Sequence, residues 1–283
     1  MKVTVLVDNQ TLIDQYYVAE PGLSMLIEDG PTRILFDVGY SDAFLRNAKT
    51  MHLECKGLDY LVFSHGHFDH TWGLPHLIRY YAQERIQGEV FSVPTVLAHP
   101  EAFTHKVSPE IGPIGSLMDA ASLERFFPLE LVKEPKWLTD RILYLGEIPQ
   151  IYSFEQPLHM NLKPDAAGLQ MVEDDLVDDT ALALLTEEGL VLVTGCAHRG
   201  VCSTLAYAKK LTGEERVVDI LGGFHLLSAS EERLSATVVA LQSMGVHQLS
   251  PCHCVDQAAK CYLGQAFGLR DVGCGLTLSY GAK

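Results

Sequence analysis

The sequence predicts an α/β fold in which two β-sheets are sandwiched between helices. Two patterns lead there. Short apolar strands separated by turns open each half of the chain, and helix–strand alternation then follows in the same order in both halves. The 283 residues are 47% apolar and 20% charged, the balance of a globular chain able to bury a large core without disulfides. At roughly 150 residues per domain the length suggests two, but two-sheet α/β folds run this long as one. The expectation is a single domain over residues 1–283.

In chain order, Val3–Val7, Ser24–Ile27 and Arg33–Phe36 read as strands of a meander, the third stopped by Asp37-Val38-Gly39. Asp42–Lys49 reads as a helix capped by Ser41 or Asp42, and Leu58–Ser64 as an apolar strand. Leu74–Gln87 has apolar residues at helical spacing, with Pro75 tolerated in the first turn. Nine of the 13 prolines fall between residues 94 and 164, which predicts an irregular insertion, either a surface excursion or a lid or pocket wall. Ala181–Leu185 and Leu190–Val193 flank Thr186-Glu187-Glu188-Gly189 as a hairpin. The helix Val201–Leu211, the strand Val217–Leu221, the helix Glu231–Met244 and the strand Gln248–Ser250 complete the second half.

With 21 Lys+Arg against 36 Asp+Glu the net charge is −15, and no basic cluster is present to hold a nucleic-acid backbone. No apolar run reaches the ~18–20 residues of a membrane span. The alternating first residues lack the apolar core of a signal peptide. Seven cysteines, an odd number in no framework spacing, read as reduced thiols. These features together predict a cytoplasmic protein that meets neither nucleic acid nor membrane; an anionic small-molecule substrate is compatible with the acidic balance where a metal supplies local positive charge.

The chemistry is concentrated in histidines. Ser64-His65-Gly66-His67-Phe68-Asp69-His70 ends a buried strand. Residues two apart on a strand end face the same way, so His65 and His67 can bind one cation. The turn that follows carries Asp69 and His70 toward a second. Two ions about 3.5–4 Å apart can share a water and bring its pKa from about 15.7 to near 7. Further donors come after strands of the second half. Cys196 or His198 can enter the second metal position, and His253, in Pro251-Cys252-His253-Cys254, is a terminal ligand. Cys252 and Cys254 are expected to point away from it. His225, after Gly222-Gly223, is either a ligand or, preferably, a proton donor to a leaving group. Asp175 or Asp178, in the acidic run 174–179, can supply the third ligand of the first metal. Asp37 can orient a ligand histidine by a hydrogen bond. Of the remaining histidines, His99 and His159 are the two placed to touch substrate; His52, His76, His105 and His247 read as surface or satisfied core residues.

His65-x-His67-x-Asp69-His70 after an apolar strand, preceded by Asp37-Val38-Gly39, resembles the signature of the metallo-β-lactamase superfamily. Gly22-Leu23-Ser24, Asp178 to Leu182, Thr194 to Gly200, Gly222 to Leu226 and Pro251 to Cys254 extend the likeness over nearly the whole chain. The branch it is similar to is that of the dihydropterin-ribofuranosyl-aminobenzene-phosphate synthase-like proteins, also filed as metal-dependent hydrolases of superfamily II. The resemblance implies an αββα sandwich, two mixed β-sheets flanked by helices, with two divalent metal ions. Zinc is the first expectation, with manganese or iron as alternatives. It implies His65, His67, Asp69, His70 and His253 as ligands, Cys196 in place of the bridging aspartate of the fourth motif, and His225 where phosphodiesterase-type relatives carry a proton-donating histidine. The histidine of the third motif is absent, and Asp175 and Asp178 occupy its region. The branch's usual His-Cys-Thr-Gly reads His253-Cys254-Val255-Asp256. The function expected first is a metallohydrolase in which a metal-bound hydroxide attacks a phosphoester, lactone or amide, with Asp69 and His225 in catalytic roles. A pterin- or ribosyl-phosphate-linked synthase and a non-catalytic metal- or ligand-binding relative are the alternatives.

Overall fold

The computed structural model describes residues 1–156, 161–165 and 167–281, and the chain divides into two compact units, each with its own sheet and core. The two seven-stranded sheets are mixed and carry helices, the α/β class that the sequence predicts.

The first unit comprises Met1–Val132, His159–Asp178 and Gly273–Ser279. Its seven-stranded sheet runs in the order Thr277–Ser279, Lys2–Val7, Ser24–Asp29, Thr32–Phe36, Tyr60–Val62, Thr95–Ala98, Leu129–Leu131. The first four strands pair antiparallel. Asp29 and Thr32 face each other across a two-residue turn whose first residue, Gly30, has φ +60°. The strands from Thr32–Phe36 onward are parallel, and parallel neighbours need crossovers. The helices Ala43–Thr50 and Leu74–Ile86 lie in two of those connections. Leu26, Leu35, Phe44, Leu61, Phe63, Leu77 and Phe127 belong to its core, each contributing about 1.5–3 kcal/mol of burial. Because three neighbouring strands run the same way, the segments that follow them begin at one edge. Those segments start with Asp37, with Phe63-Ser64-His65, and with His99. A second, four-stranded sheet joins Met171–Glu173, Leu162–Pro164, Val107–Ser108 and Gly112–Pro113.

The second unit comprises Lys133–Leu158, Asp179–Val272 and Tyr280–Lys283. Its sheet order is Gly268–Leu269, Gln248–Pro251, Val217–Gly222, Gly189–Thr194, Ala181–Thr186, Ile142–Tyr144, Lys136–Trp137. The hairpin closes with Thr186 opposite Gly189. The next three strands are parallel to Gly189–Thr194 and to one another, with the helices Val201–Thr212, Glu231–Ser243 and Gln257–Leu263 between them. Ser230 caps the second of these helices by accepting from the Arg233 amide, and Glu231 and Glu232 occupy its positive first turn. The first ends at Gly213, left-handed at φ +70°.

The proline-rich stretch is not an insertion apart from the sheets. It supplies Thr95–Ala98 and Leu129–Leu131 to the first sheet and Lys136–Trp137 and Ile142–Tyr144 to the second. Five of its prolines stand where the chain needs no backbone donor. Pro94, Pro128 and Pro135 immediately precede strands, Pro100 opens a 3₁₀ turn, and Pro113 lies on an edge strand. Among the described residues, no helix is long and apolar enough to cross a membrane.

Candidate functional site

In the first unit the turn after Tyr60–Val62 brings three histidines together. The His65 and His67 rings meet edge to face at 4.6 Å, and the His65 and His70 rings lie 4.2 Å apart. All three are buried. Asp37, fully buried and left-handed at φ +57°, turns its carboxylate into this group. Its Oδ1 accepts the Ser64 amide at 2.8 Å. Its Oδ2 accepts the Ser64 hydroxyl at 2.6 Å and His70 Nδ1 at 2.7 Å.

These contacts settle the imidazole tautomers by elimination. Ser64 has one proton and gives it to Asp37, so at 2.9 Å it accepts from His65 Nδ1. His65 and His70 therefore both carry their proton on Nδ1 and would meet a cation through Nε2. His65 Nε2 and His67 Nδ1 lie 3.1 Å apart. Two nitrogens bound to zinc at about 2.0–2.1 Å in a tetrahedron stand about 3.3 Å apart, so the pair fits one ion. Burial, with the Lys106 ammonium nearby, pushes the His67 imidazole down to about 4, leaving it neutral as a ligand must be. Asp69 is partly exposed, with Oδ2 3.8 Å from His70 Nε2.

The structure gives the two carboxylates expected as a third ligand other partners. Asp178 Oδ1 is 2.7 Å from Lys106 Nζ, and its Oδ2 accepts the Gly66 amide at 2.8 Å. Although burial opposes it, Lys106 holds the Asp178 carboxyl down to about 2. Asp175 is half exposed and paired with Lys163. His99 is buried, and its Nδ1 caps the turn Pro100–Phe103 by accepting the Glu101 amide at 3.1 Å; His159 lies outside the described residues. Lys106 itself had no signal in the sequence beyond being one lysine in a proline-rich stretch. Also unforeseen is an aromatic trio around the same turn. Tyr40, 42% exposed, packs on Trp72 at 5.1 Å and meets Phe68 edge-on at 5.8 Å.

In the second unit the donors lie on three loops that leave three neighbouring parallel strands, Gly189–Thr194, Val217–Gly222 and Gln248–Pro251. One donor atom each from Cys196, His225 and Cys254 falls within 4.8 Å of the others. The His198 and His225 rings lie 4.2 Å apart, tilted by 53°. Cys254 thus joins the cluster and does not point away. Its sulfur accepts the His225 amide at 3.2 Å and stands 3.5 Å from the Cys196 carbonyl. Burial alone would raise this thiol, but hydrogen bonds with Cys196 and His225 and the charges of His253 and His225 hold it well below the ordinary range. His225 Nδ1 is buried with no hydrogen-bond partner among the described residues. Ala197, His225 and His253 all have left-handed backbones, at φ +55°, +48° and +56°. Non-glycine residues held there cluster at functional sites. Nitrogen and sulfur donors of this kind suit zinc-class cations better than magnesium or calcium.

Comparisons with known proteins agree with this donor chemistry. The model of the metallo-beta-lactamase superfamily matches residues 17–86. A protein of Methanocaldococcus jannaschii, named 7,8-dihydropterin-6-methyl-4-(beta-D-ribofuranosyl)-aminobenzene-5'-phosphate synthase, is 32% identical, covering 92% of this chain and 89% of its own. An uncharacterized protein of the same organism is also 32% identical, over 93% of this chain and 94% of its own. The solved structure of Tm1679, described as a metal-dependent hydrolase of the beta-lactamase superfamily, superposes with a TM-score of 0.82 at 28% identity, covering 99% of this chain and 98% of that one.

Proposed function

The chain belongs to the metallo-beta-lactamase superfamily, and from that premise we propose that it is a metal-dependent enzyme acting on a small phosphorylated substrate. The reading placed first is a synthase that joins a pterin-like and a ribosyl-phosphate-like partner. The observation that carries it is 32% identity to such a synthase across 92% of the chain. Hydrolysis of a phosphoester, lactone or amide is the second reading, favoured by the likeness to Tm1679. A cytoplasmic location is part of this proposal, supported by seven free cysteines, which a reducing compartment keeps as thiols.

The residues that would serve as ligands are His65, His67, Asp69 and His70 in the first unit and Cys196, His198 and His253 in the second. Two divalent ions, zinc before manganese or iron, are the cofactors of this reading. A bound cation supplies Lewis-acid polarisation of a phosphoryl or carbonyl oxygen and a lowered pKa for water. The protein's own part is orientation. Asp37 fixes the His70 tautomer, Ser64 fixes that of His65, and burial keeps His67 neutral. His225 would give a proton to the leaving group. Tyr40, exposed beside Trp72, would offer a ring on which a planar heterocycle could stack.

Product analysis in heavy-oxygen water separates the two readings. Joining leaves the product unlabelled, whereas hydrolysis places one solvent oxygen in it. His67→Ala and Asp69→Ala should each abolish turnover, and undiminished activity in both would overturn metal dependence.

A further inference from the structure

We infer that Lys106 and Asp178 are positioning residues for the turn that carries His65 and His67, acting through the Gly66 amide; the inference rests on the metal-dependent reading above. Gly66 is the single residue between the two histidines, and its peptide is held on two sides. Its N–H donates to Asp178 Oδ2 at 2.8 Å. A Cβ built on it would lie 2.1 Å from the Ala102 carbonyl oxygen, so the backbone sits hard against the turn Pro100–Phe103. Rotation of that peptide would swing the two imidazoles apart, and their 3.1 Å nitrogen separation depends on preventing it.

Asp178 in turn is held by a buried cation. Lys106 is fully buried, an uncommon state for a lysine, with its ammonium 2.7 Å from Asp178 Oδ1 and 2.8 Å from Asp174 Oδ2. Asp174 Oδ1 accepts the Leu176 amide at 3.0 Å, and Leu176 has φ +52°. That left-handed step folds the segment so that both carboxylates reach one ammonium. Without Lys106 the two buried carboxylates would lose their shared counterion, leaving Lys163 Nζ, 3.8 Å from Asp174 Oδ1, beside them. With it, both Asp178 oxygens are engaged, one by the cation and one by Gly66 through a charge-assisted hydrogen bond. A carboxylate placed in this way orients the ligand-bearing backbone and is not itself a ligand.

The test uses the full chain with Asp178→Ala, Asp178→Asn and Lys106→Met, and two readouts. Exchange of the Gly66 amide in heavy water, followed by NMR without metal, should be at least about tenfold faster in Asp178→Ala and Lys106→Met. Amides of the strands Ser24–Asp29 and Thr32–Phe36 should keep their protection. Cobalt(II) should bind about 10- to 100-fold more weakly in those two variants, with Asp178→Asn in between because it keeps an acceptor. The visible cobalt spectrum should keep its position in all three, since the ligands are unchanged. Unaltered Gly66 exchange would overturn the inference, and so would a cobalt spectrum shifted by Asp178→Asn, as loss of a ligand would produce. If the wild type takes up no cobalt, the metal-dependent reading fails, while Gly66 exchange still decides the positioning role. Should Lys106→Met not fold, the double variant Lys106→Met/Asp178→Asn, which removes both charges, carries the same two measurements.

Discussion

Asp37 Oδ2 lies 2.7 Å from His70 Nδ1, and neither side chain is exposed to solvent. The same carboxylate accepts the amide and the hydroxyl of Ser64, and Ser64 accepts from His65. One buried aspartate at the end of a strand therefore sets the tautomers of two histidines, directly for His70 and through a hydroxyl for His65. Both rings then present Nε2, the nitrogen through which a cation would be held.

Asp37→Ala strands three buried donors, and the expected loss of stability is on the order of 3 kcal/mol. Zinc affinity should fall about 10- to 100-fold, because the His70 and His65 tautomers are no longer fixed. Urea midpoints and competition against a chromophoric chelator measure the two effects. Wild-type affinity in a folded Asp37→Ala protein would refute the orienting role.

The pH dependence of the metal-free protein follows from His67. Its folded pKa, about 4, lies below the ordinary 6.5, so between those values the unfolded chain binds a proton that the folded one does not. Its contribution is therefore complete above pH 6.5 and is lost as pH falls toward 4. Urea unfolding at pH 5 and pH 7.5 should show a smaller stability loss on acidification in His67→Asn than in the wild type. Equal losses in the two proteins would mean that His67 is not held neutral.

Gly223 gives the loops of the second unit room to meet. A Cβ there would come within 2.4 Å of the Gly195 carbonyl oxygen and 2.6 Å of Cys254 Sγ. Gly223→Ala should cost about 1–3 kcal/mol of stability. It should also displace the Cys254 sulfur, read as faster alkylation of that residue by iodoacetamide in peptide mapping. An unchanged alkylation rate would argue that the sulfur has space the geometry denies it.

The histidine turn was legible in sequence because His65, His67, Asp69 and His70 lie within six residues at the end of one apolar strand, where strand alternation and a short turn decide the geometry. Asp37 was legible for the same reason, as the residue that ends its strand. Strand alternation continued through Cys252-His253-Cys254 would turn Cys254 away from the cluster. His253 is left-handed at φ +56°, which breaks the alternation and lets Cys254 Sγ reach the His225 amide. The partners of Asp178 were illegible because Lys106 arrives from 72 residues away, from a stretch whose prolines hide its strands. Long-range pairing of this sort leaves no periodic trace. The strands Thr95–Ala98 and Ile142–Tyr144 are short and fully buried apart from Thr95, with too few residues to show a period against their proline-rich flanks.

Metal content tests the central claim most directly: elemental analysis of protein purified without added metal, for the wild type and for His65→Ala/His67→Ala checked for folding by circular dichroism. The account expects a stoichiometric zinc-class metal in the wild type and a clear fall in metal per chain in the folded variant. A wild type that carries no stoichiometric metal and takes none up on titration with zinc, or a variant that retains the full wild-type content, would contradict it.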